Sequence, residues 1–569
     1  MYEQDFAPVA DSLALSAIFA ALPLVTIFVL LGALRVKAQW AALASLGVAL
    51  AVAVLVYRMP PAQAFLAATE GSVFGFFPIL WIVINAIWIY NLTVATGHFD
   101  VLRRSFGSIS NDQRVQAVII AFCFGGLLEA LAGFGTPVAI SSVMLLALGF
   151  KPIKAATVAL VANTAPVAYG ALATPILTMS RVTGLPVDDI GATVGRQTPL
   201  LALFIPLVLV FMVDGRRGVR QTWLMATVAG VTFAIAQFLC SNYFIVELTD
   251  IVASLVAAAA IVLLLRVWSP VETIAVETLD DDEMQSRISS ASAAAHKVEG
   301  VGPARGHDGS STATTARPST ATDSRADVFR AYVPYAMIIV VFALSQIPVL
   351  KELLGRGVVT FPWPGLNVVN PDGEPVSATI FTFNYLPAGG TLVLLSGLLT
   401  IPILGISLSR ALRAYGDTYR QLKWAIVTVM AVLGLAYVMN LSGQTITIGQ
   451  WMAGAGSFFP LLSPILGWLG VAVTGSDTSS NALFGTLQIA AAADAGVDPL
   501  LMASANTSGG VLGKMLSPQN LAIAAASVGI AGQEGVLFRK VVWWSLGMLA
   551  IMSLLIYLQS TPVLSWMLL

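Results

Sequence analysis

Three ionisable side chains lie in stretches that are otherwise apolar enough to cross a membrane. Glu129 lies just before the sequence "LAGFGTPVAI", Asp477 lies within "VTGSDTSSNA", and Lys514 lies within "GGVLGKMLSPQN". A charge at the centre of a bilayer costs about 2.5–3.5 kcal/mol on insertion scales, so each group needs a partner or a function. Two interpretations stay open for each. The carboxyls either carry protons or serve the structure, and Lys514 either pairs with one of them or binds an anion.

The same stretches contain glycine and proline residues that break helices. Two predicted hairpin tips, at 133–137 and 475–481, and two predicted unwound segments, at 163–166 and 506–510, combine these residues with hydroxyl and amide side chains. Lipid cannot satisfy free backbone N–H groups, so irregular backbone at membrane depth lines a cavity or is buried in protein. The N–H groups that begin a helix carry partial positive charge and bind anions. The four segments therefore predict a site for a small carboxylate.

The predicted site combines backbone at the breaks with neutral polar side chains and one cation. The substrate-binding residues are Gly133, Gly135, Thr136, Asn163, Thr164, Tyr169, Gly475, Ser476, Thr478, Ser479, Asn506, Thr507, Ser508 and Lys514. Glu129 and Asp477 are the predicted proton-coupling residues, and the Tyr169 ring is compatible with packing as well as with binding. The three histidines are too scattered for a metal site, and the two cysteines lack metal-ligand spacing. No cofactor, metal or catalytic residue is predicted, and the protein is not expected to be an enzyme.

The elements that must position these residues are membrane helices. Of the 569 residues, 57% are hydrophobic and 10% are charged, whereas soluble domains carry roughly 25% charged residues. The formal net charge of −1 does not indicate the excess of basic residues that is typical of nucleic-acid-binding proteins. We therefore predict an all-α, polytopic membrane protein whose partners are the lipid bilayer and a small molecule. A homodimer stays open.

Runs of about 20 apolar residues predict twelve membrane crossings. They are 12–34, 38–57, 76–96, 153–180, 196–213, 221–241, 246–267, 328–346, 387–407, 421–441, 499–528 and 537–558. Two further apolar stretches, 115–149 and 452–491, each have a polar break near the middle and are predicted to be re-entrant hairpins. With both termini outside, most basic residues of the short loops fall inside, as the positive-inside rule requires.

Four sequence matches at a nearly constant offset predict an internal repeat. The segments "IYNLT", "GFGTPV", "ANTAP" and "LATPI", which begin at 89, 133, 162 and 172, match "VMNLS", "GSDTSS", "ANTSG" and "MLSPQ", which begin at 438, 475, 505 and 515. The copies start an odd number of crossings apart and are therefore inverted. Inverted repeats with discontinuous helices are typical of secondary transporters, whose substrate site lies near the midplane.

The repeat divides the chain into six predicted parts. They are N-terminal scaffold helices at 1–75, a first repeat at 76–213 with a broken helix at 153–180, connecting helices at 214–268, a disordered cytoplasmic linker at 269–327, scaffold helices and an outer loop at 328–420, and a second repeat at 421–558 with a broken helix at 499–528.

The sequences "LLEALAGFGTPVAI", "VANTAPVAYGALATPI", "TGSDTSSNALFGTLQ" and "ANTSGGVLGKMLSPQNLAIA" resemble the lactate permease family of bacteria, which includes L-lactate and glycolate permeases. The resemblance covers roughly residues 12–268 and 328–558. It implies uptake of L-lactate, D-lactate and glycolate by proton symport across the cytoplasmic membrane, and an elevator-like architecture. The "SSN" at 479–481 and the two "ANT" stretches leave sodium coupling open.

Other classes of membrane protein fit the sequence less well. A proton-pumping subunit needs a chain of several buried lysine and glutamate residues, which is not found. An intramembrane protease needs a second catalytic aspartate or a serine–histidine pair at membrane depth. A channel is the third alternative, and saturable uptake driven by a pH gradient distinguishes a carrier from it.

Overall fold

Most of the chain forms helices, because a helix satisfies its own backbone hydrogen bonds where lipid surrounds it. The structure is a computed structural model that describes residues 1–34, 36–107, 109–131, 133, 135–274, 324–530 and 533–569. Most of the predicted linker at 269–327 lies outside the described residues.

The helices of the N-terminal half precede residue 275. They are Leu13–Ala20, Leu22–Phe28, Val29–Ala33, Ala38–Leu55, Pro61–Phe74, Gly75–Leu80, Trp81–Ala95, His98–Gly107, Gln113–Ala117, Val118–Phe124, Gly125–Leu131, Thr136–Ala147, Pro152–Ala162, Gly170–Thr183, Val187–Val194, Thr198–Tyr243, Val246–Leu248 and Thr249–Leu264.

The C-terminal half adds further helices and most of the strands. The helices are Arg325–Ser345, Pro348–Gly355, Ser377–Thr379, Gly389–Leu404, Leu408–Leu441, Gln444–Met452, Ala453–Phe458, Phe459–Thr474, Asp477–Ala495, Pro499–Gly513, Lys514–Leu516, Pro518–Ser527, Glu534–Gln559 and Ser565–Met567. The strands of the whole chain are Tyr2–Glu3, Val358–Pro362, Val368–Val369 and Ile380–Asn384.

Ten helical stretches among the described residues are long and apolar enough to cross a membrane. One of them, Val187–Tyr243, contains two predicted spans and bends at Asp214 and Gly215, where the helical dihedrals are lost. Another, Pro61–Ala95, begins well before the predicted start at 76. The predicted spans 153–180 and 499–528 are each divided into shorter helices. The count of twelve crossings therefore stays a prediction.

Two helical segments of the chain fold back on themselves at the predicted breaks. In the first hairpin, 113–147, Gly133 and Gly135 lie at the turn and Ser141 Oγ donates to the carbonyl of Ile120 at 3.4 Å. In the second hairpin, Phe459–Ala495, it turns at 475–476 and Ser480 Oγ donates to the carbonyl of Gly467 at 3.1 Å. The arms of each hairpin therefore pack directly against each other.

Two separate polar clusters mark the ends of the helices. At one end, strand Tyr2–Glu3 pairs in parallel with Val368–Val369, and the Tyr2 hydroxyl donates to the carbonyls of Tyr57 and Ser442. The same end holds the antiparallel pair Val358–Pro362 and Ile380–Asn384. These segments all lie on the predicted outer side.

The second cluster surrounds Arg114, which is fully buried and is predicted to lie inside. Its guanidinium forms ion pairs with Asp112 at 2.8 Å and with Asp214 at 3.2 Å. Burial opposes ionisation of Asp112, but hydrogen bonds from Arg114 and from the backbone of Ile274 hold its pKa below the ordinary value. The cluster thus ties the start of the first hairpin to the bend of Thr198–Tyr243.

The hydrophobic core is divided into two large parts. One contains residues of the first hairpin, of the helices between 152 and 264, and of the helices between 499 and 559. The other contains residues of 38–55, 61–87 and 422–441 together with the returning arm of the second hairpin. Ala171 belongs to the second part and Leu172 to the first. The broken region around 170–173 therefore lies where the two parts meet.

Candidate functional site

A buried ion pair joins the first hairpin to the last broken region. Lys514 Nζ contacts Glu129 Oε1, and Asn163 Nδ2 donates to Glu129 Oε2 at 3.0 Å. The exposed fractions are only 2% for Glu129 and 6% for Lys514. Three elements that are distant in sequence thus supply one charged cluster, as the predicted convergence requires.

The tip of the first hairpin lies against both broken regions. Gly133 and Gly135 have φ of +53° and +83°, which residues with a Cβ rarely adopt. A Cβ on Gly135 would lie 2.4 Å from Ile523 Cδ1, and a Cβ on Gly170 would lie 2.8 Å from Glu129 Oε1. The glycines therefore permit both the turn and the close approach to the ion pair.

The tip of the second hairpin also reaches both broken regions. A Cβ on Gly475 would lie 2.9 Å from Gln519 Oε1. On the other side, Thr478 Oγ1 approaches Thr174 Oγ1 at 3.5 Å, and Asn481 Nδ2 donates to the carbonyl of Pro175 at 3.0 Å. The two tips are therefore connected through the same two segments, 170–175 and 517–523.

Asp477 is the second carboxyl of this region, and it is 3% exposed. Within the described part of the chain, neither of its carboxylate oxygens has a hydrogen-bond partner. A Cβ on Gly510 would lie 2.2 Å from Asp477 Oδ1, and the charge of Lys514 acts on the carboxyl from a greater distance. A buried carboxylate without partners is costly, so Asp477 is more stable when it holds a proton or binds a cation.

An amide network holds the second hairpin to the helix Pro499–Gly513. Asn481 Nδ2 donates to Thr507 Oγ1 at 2.9 Å, and Asn506 Nδ2 donates to Asn481 Oδ1 at 2.9 Å. Gln488 Nε2 extends the network to Asn506 Oδ1 at 3.0 Å. Asn506 and Thr507 are therefore engaged in fixing the two elements together.

The prediction that 506–510 is unwound is wrong, because these residues lie within the regular helix Pro499–Gly513. Its glycines serve close packing instead, since a Cβ on Gly509 would lie 2.2 Å from the carbonyl of Pro464. The interruption comes later, where Lys514–Leu516 forms a 3₁₀ turn and Ser517 is extended and caps Pro518–Ser527. Lys514 therefore lies at the break itself.

The first broken region is longer than the predicted segment 163–166. No regular helix connects Pro152–Ala162 with Gly170–Thr183, and Ala171, Leu172 and Ala173 all have positive φ between 45° and 58°. Four helices thus begin around the ion pair, at Thr136, Gly170, Asp477 and Pro518. The start of a helix carries partial positive charge, which favours an anion nearby.

Some of the remaining predicted residues already form side-chain hydrogen bonds within the protein, and others do not. The Tyr169 hydroxyl donates to the carbonyl of Gly191 at 2.7 Å, and Ser508 Oγ donates to Gln197 Oε1 at 2.6 Å. Ser476 Oγ caps the second tip by accepting from the backbone N–H of Ser479. The Thr164 hydroxyl is buried without a partner among the described residues and is available to a ligand, and Thr136 is half-buried at the first tip.

Sequence reasoning missed two buried carboxyls and one amide. Asp250 is fully buried and accepts a hydrogen bond from Gln237 Nε2 at 2.8 Å, while Glu70 is 1% exposed beside Leu408–Leu441. Asp250 lies at the start of a predicted span, and a carboxyl inside an apolar helix could have identified it from the sequence. Among the described residues no three His, Cys, Asp or Glu side chains cluster as metal ligands would.

Comparison with known proteins identifies relatives that match this chain over nearly the whole length of both. Residues 16–563 match the family described as L-lactate permease. The chain is 40% identical to the L-lactate permease of Bacillus subtilis (strain 168), with 100% of this chain and 99% of that protein covered. It is 40% identical to the glycolate permease of Escherichia coli (strain K12), with 96% of each covered, and 39% identical to the L-lactate permease of the same strain.

Two solved transporter structures are more distant in sequence. The YdaH transporter of Alcanivorax borkumensis is 15% identical over 86% of each chain, with a TM-score of 0.40. MtrF of Neisseria gonorrhoeae is 14% identical over 90% of this chain and 86% of that chain, with a TM-score of 0.44.

Proposed function

The chain belongs to the L-lactate permease family, and we propose that it takes up L-lactate and the related 2-hydroxymonocarboxylates D-lactate and glycolate by proton symport. It is a multi-pass membrane permease and not an enzyme. The proposal includes the cytoplasmic membrane as its location, both termini outside and the linker inside. It also includes twelve crossings, two re-entrant hairpins, inverted repeats and an elevator-like movement.

The observation that carries the proposal is the ion pair between Glu129 and Lys514. The pair is neutral, buried, and surrounded by both hairpin tips and both broken regions. A carboxylate that enters takes Lys514 as its counter-ion and displaces Glu129. The displaced carboxylate would then be a buried charge without a partner unless it takes up a proton. One proton therefore enters with each monocarboxylate.

The neutral groups of the site suit the rest of the substrate. Among the residues that the structure describes, the Thr164 hydroxyl has no partner, so it can bond the 2-hydroxyl group. The start of a helical segment at Gly170 lies beside Glu129, and partial positive charge at a helix start favours a carboxylate there.

Coupling follows from the free energies of the loaded states. The empty site holds a neutral pair, and the fully loaded site holds Lys514 with the substrate carboxylate and a protonated Glu129. A site with only one of the two ligands holds an unbalanced charge, which costs about 2.5–3.5 kcal/mol at membrane depth. That difference lowers the population of the half-loaded site about 100-fold, and only the balanced states cross.

The test is uptake of radiolabelled L-lactate into proteoliposomes with an imposed pH gradient. We expect Glu129→Gln to abolish accumulation, because Lys514 no longer exchanges partners with a titrating group, and to leave lactate counterflow. Asp494→Asn is the matched control, since Asp494 is an exposed carboxyl of the second hairpin. If Glu129→Gln still concentrates lactate and Asp477→Asn does not, Asp477 is the proton carrier. If both variants concentrate lactate, neither carboxyl couples.

Sodium is the second candidate coupling ion, and Asp477 supports it. Its two carboxylate oxygens, which have no partner in the described part of the chain, lie near Thr478 and the helix Pro499–Gly513, and oxygen ligands of this kind suit a hard cation. The same uptake assay with choline in place of sodium separates the two ions. If uptake at a fixed pH gradient requires sodium, sodium is the coupling ion and Asp477 of the second hairpin is its proposed ligand.

A further inference from the structure

Asp250 is a buried carboxyl that the ion-pair mechanism leaves without a role. It is fully buried, and its Oδ1 accepts from Gln237 Nε2 at 2.8 Å. Among the described residues Oδ2 has no hydrogen-bond partner. A carboxyl with one bonded and one free oxygen in apolar surroundings can hold a proton on the free oxygen and release it to a neighbouring base.

Asp250 lies beside Glu129 across a close helix contact. A Cβ on Gly126 would lie 2.7 Å from Ser254 Oγ, so the first hairpin touches the helix Thr249–Leu264 at this point. Asp250 is one turn before Ser254, and Glu129 is nearly one turn after Gly126. The two carboxyls are close enough for the charge of Glu129 to act on Asp250. The Ser254 hydroxyl is itself buried without a partner among the described residues.

The other side of Asp250 leads to the end of the molecule that is predicted to be outside. Glu247 precedes it by one turn and is half-buried, and the exposed Asp188 interacts with Glu247. The groups that face Asp250 are Gln237 and Cys240 of Thr198–Tyr243, Glu129 of the first hairpin, and Tyr169 before Gly170–Thr183. No cation of the described residues forms an ion pair with Asp250, so its carboxyl is more stable with a proton than without one, and a proton that leaves must be replaced.

We propose that Asp250 is the relay through which protons from the outer face reach Glu129. The inference rests on the proposed symport. The O–H bond on Asp250 Oδ2 breaks and an O–H bond forms on Glu129, directly or through the Ser254 hydroxyl, and Lys514 is released to the substrate carboxylate. Asp250 is reloaded with a proton from the side of Glu247.

The test is the dependence of the initial L-lactate uptake rate on external pH in right-side-out membrane vesicles. Wild-type uptake rises as external pH falls, because protonation of Glu129 frees Lys514. We expect Asp250→Asn to lower net uptake about tenfold or more and to flatten this pH profile. Lactate counterflow, which exchanges substrate while the proton stays bound, stays within about twofold of wild type. Asp250→Glu restores the profile, and Asp494→Asn leaves it unchanged.

The outcomes separate this inference from the proposed function. A wild-type rate that ignores the pH gradient overturns the symport itself. A wild-type rate that follows the gradient, together with an identical profile for Asp250→Asn, overturns the relay alone. Loss of counterflow along with uptake in both Asp250→Asn and Asp250→Glu assigns Asp250 to structure and likewise overturns the relay.

Discussion

At the scale of single residues, the site depends on which group neutralises Lys514. Glu129 is its direct partner, and Asp477 is a more distant second carboxyl. Removing one member of a buried ion pair leaves the other charge uncompensated, whereas replacing both by neutral groups is often close to neutral for stability. We therefore expect a single substitution in the pair to lower the stability more than substitution of both residues together.

We expect Lys514→Met to lower the free energy of unfolding by about 3–5 kcal/mol, because Glu129 then stays buried without its counter-ion. Combining it with Glu129→Gln is expected to recover most of this loss. Thermal unfolding of the purified protein in detergent measures both variants beside the wild type. A double variant as unstable as Lys514→Met would show that the pair is not the buried contact described here.

The sequence predicted that these charges need partners, but it did not predict which partner each one takes. An ion pair of Lys514 with Glu129 or Asp477 was one of two interpretations, and Glu129, 385 positions away, is the partner. Distance along the chain carries no information on such a choice. The hydroxyl of Tyr169 bonds the carbonyl of Gly191 because a buried tyrosine takes a nearby acceptor, which only the packed structure defines.

At the scale of elements, the two hairpin turns fall where glycine permits them, whereas the two broken regions do not. The turns at Gly133, Gly135 and Gly475 follow from positive φ and were predicted. Ala171, Leu172 and Ala173 also have positive φ, and no residue type in that segment indicates it. Each such residue is disfavoured by roughly 1–2 kcal/mol, so the surrounding packing must impose the conformation.

In the segment 171–173, substitution of alanine by glycine is expected to stabilise the protein, whereas in a regular helix it destabilises it. Ala173→Gly is expected to raise the free energy of unfolding by about 1 kcal/mol, because glycine accepts φ near +58° without a steric penalty. Ala159→Gly is the matched control, since Ala159 is equally buried but lies within the regular helix Pro152–Ala162. It should lower stability by about 0.5–1 kcal/mol. Thermal unfolding in detergent gives both values, and two shifts of the same sign would contradict the left-handed segment.

At the scale of the whole molecule, the two hairpins converge on both broken regions, an arrangement that an inverted repeat would produce. Each copy supplies one tip and one broken region, and the tip of each reaches the broken region of the other. The sequence did not indicate that the second break lies at Lys514–Ser517, because glycines 509 and 510 resemble a helix break and instead allow close packing. The segments that meet near Tyr2 all belong to the predicted outer side, and the absolute orientation stays a prediction.

The charge balance of the whole cycle predicts electroneutral transport. In the proposed cycle the empty carrier crosses with Glu129 and Lys514 paired, and the loaded carrier crosses with one proton and one carboxylate, so neither crossing moves net charge. A pH gradient of one unit should therefore hold lactate at about a tenfold ratio at equilibrium. A potassium diffusion potential set with valinomycin should leave that ratio unchanged in proteoliposomes. If the potential raises the ratio, more than one cation enters with each lactate, and Asp477 is the group beside the site that could bind the second.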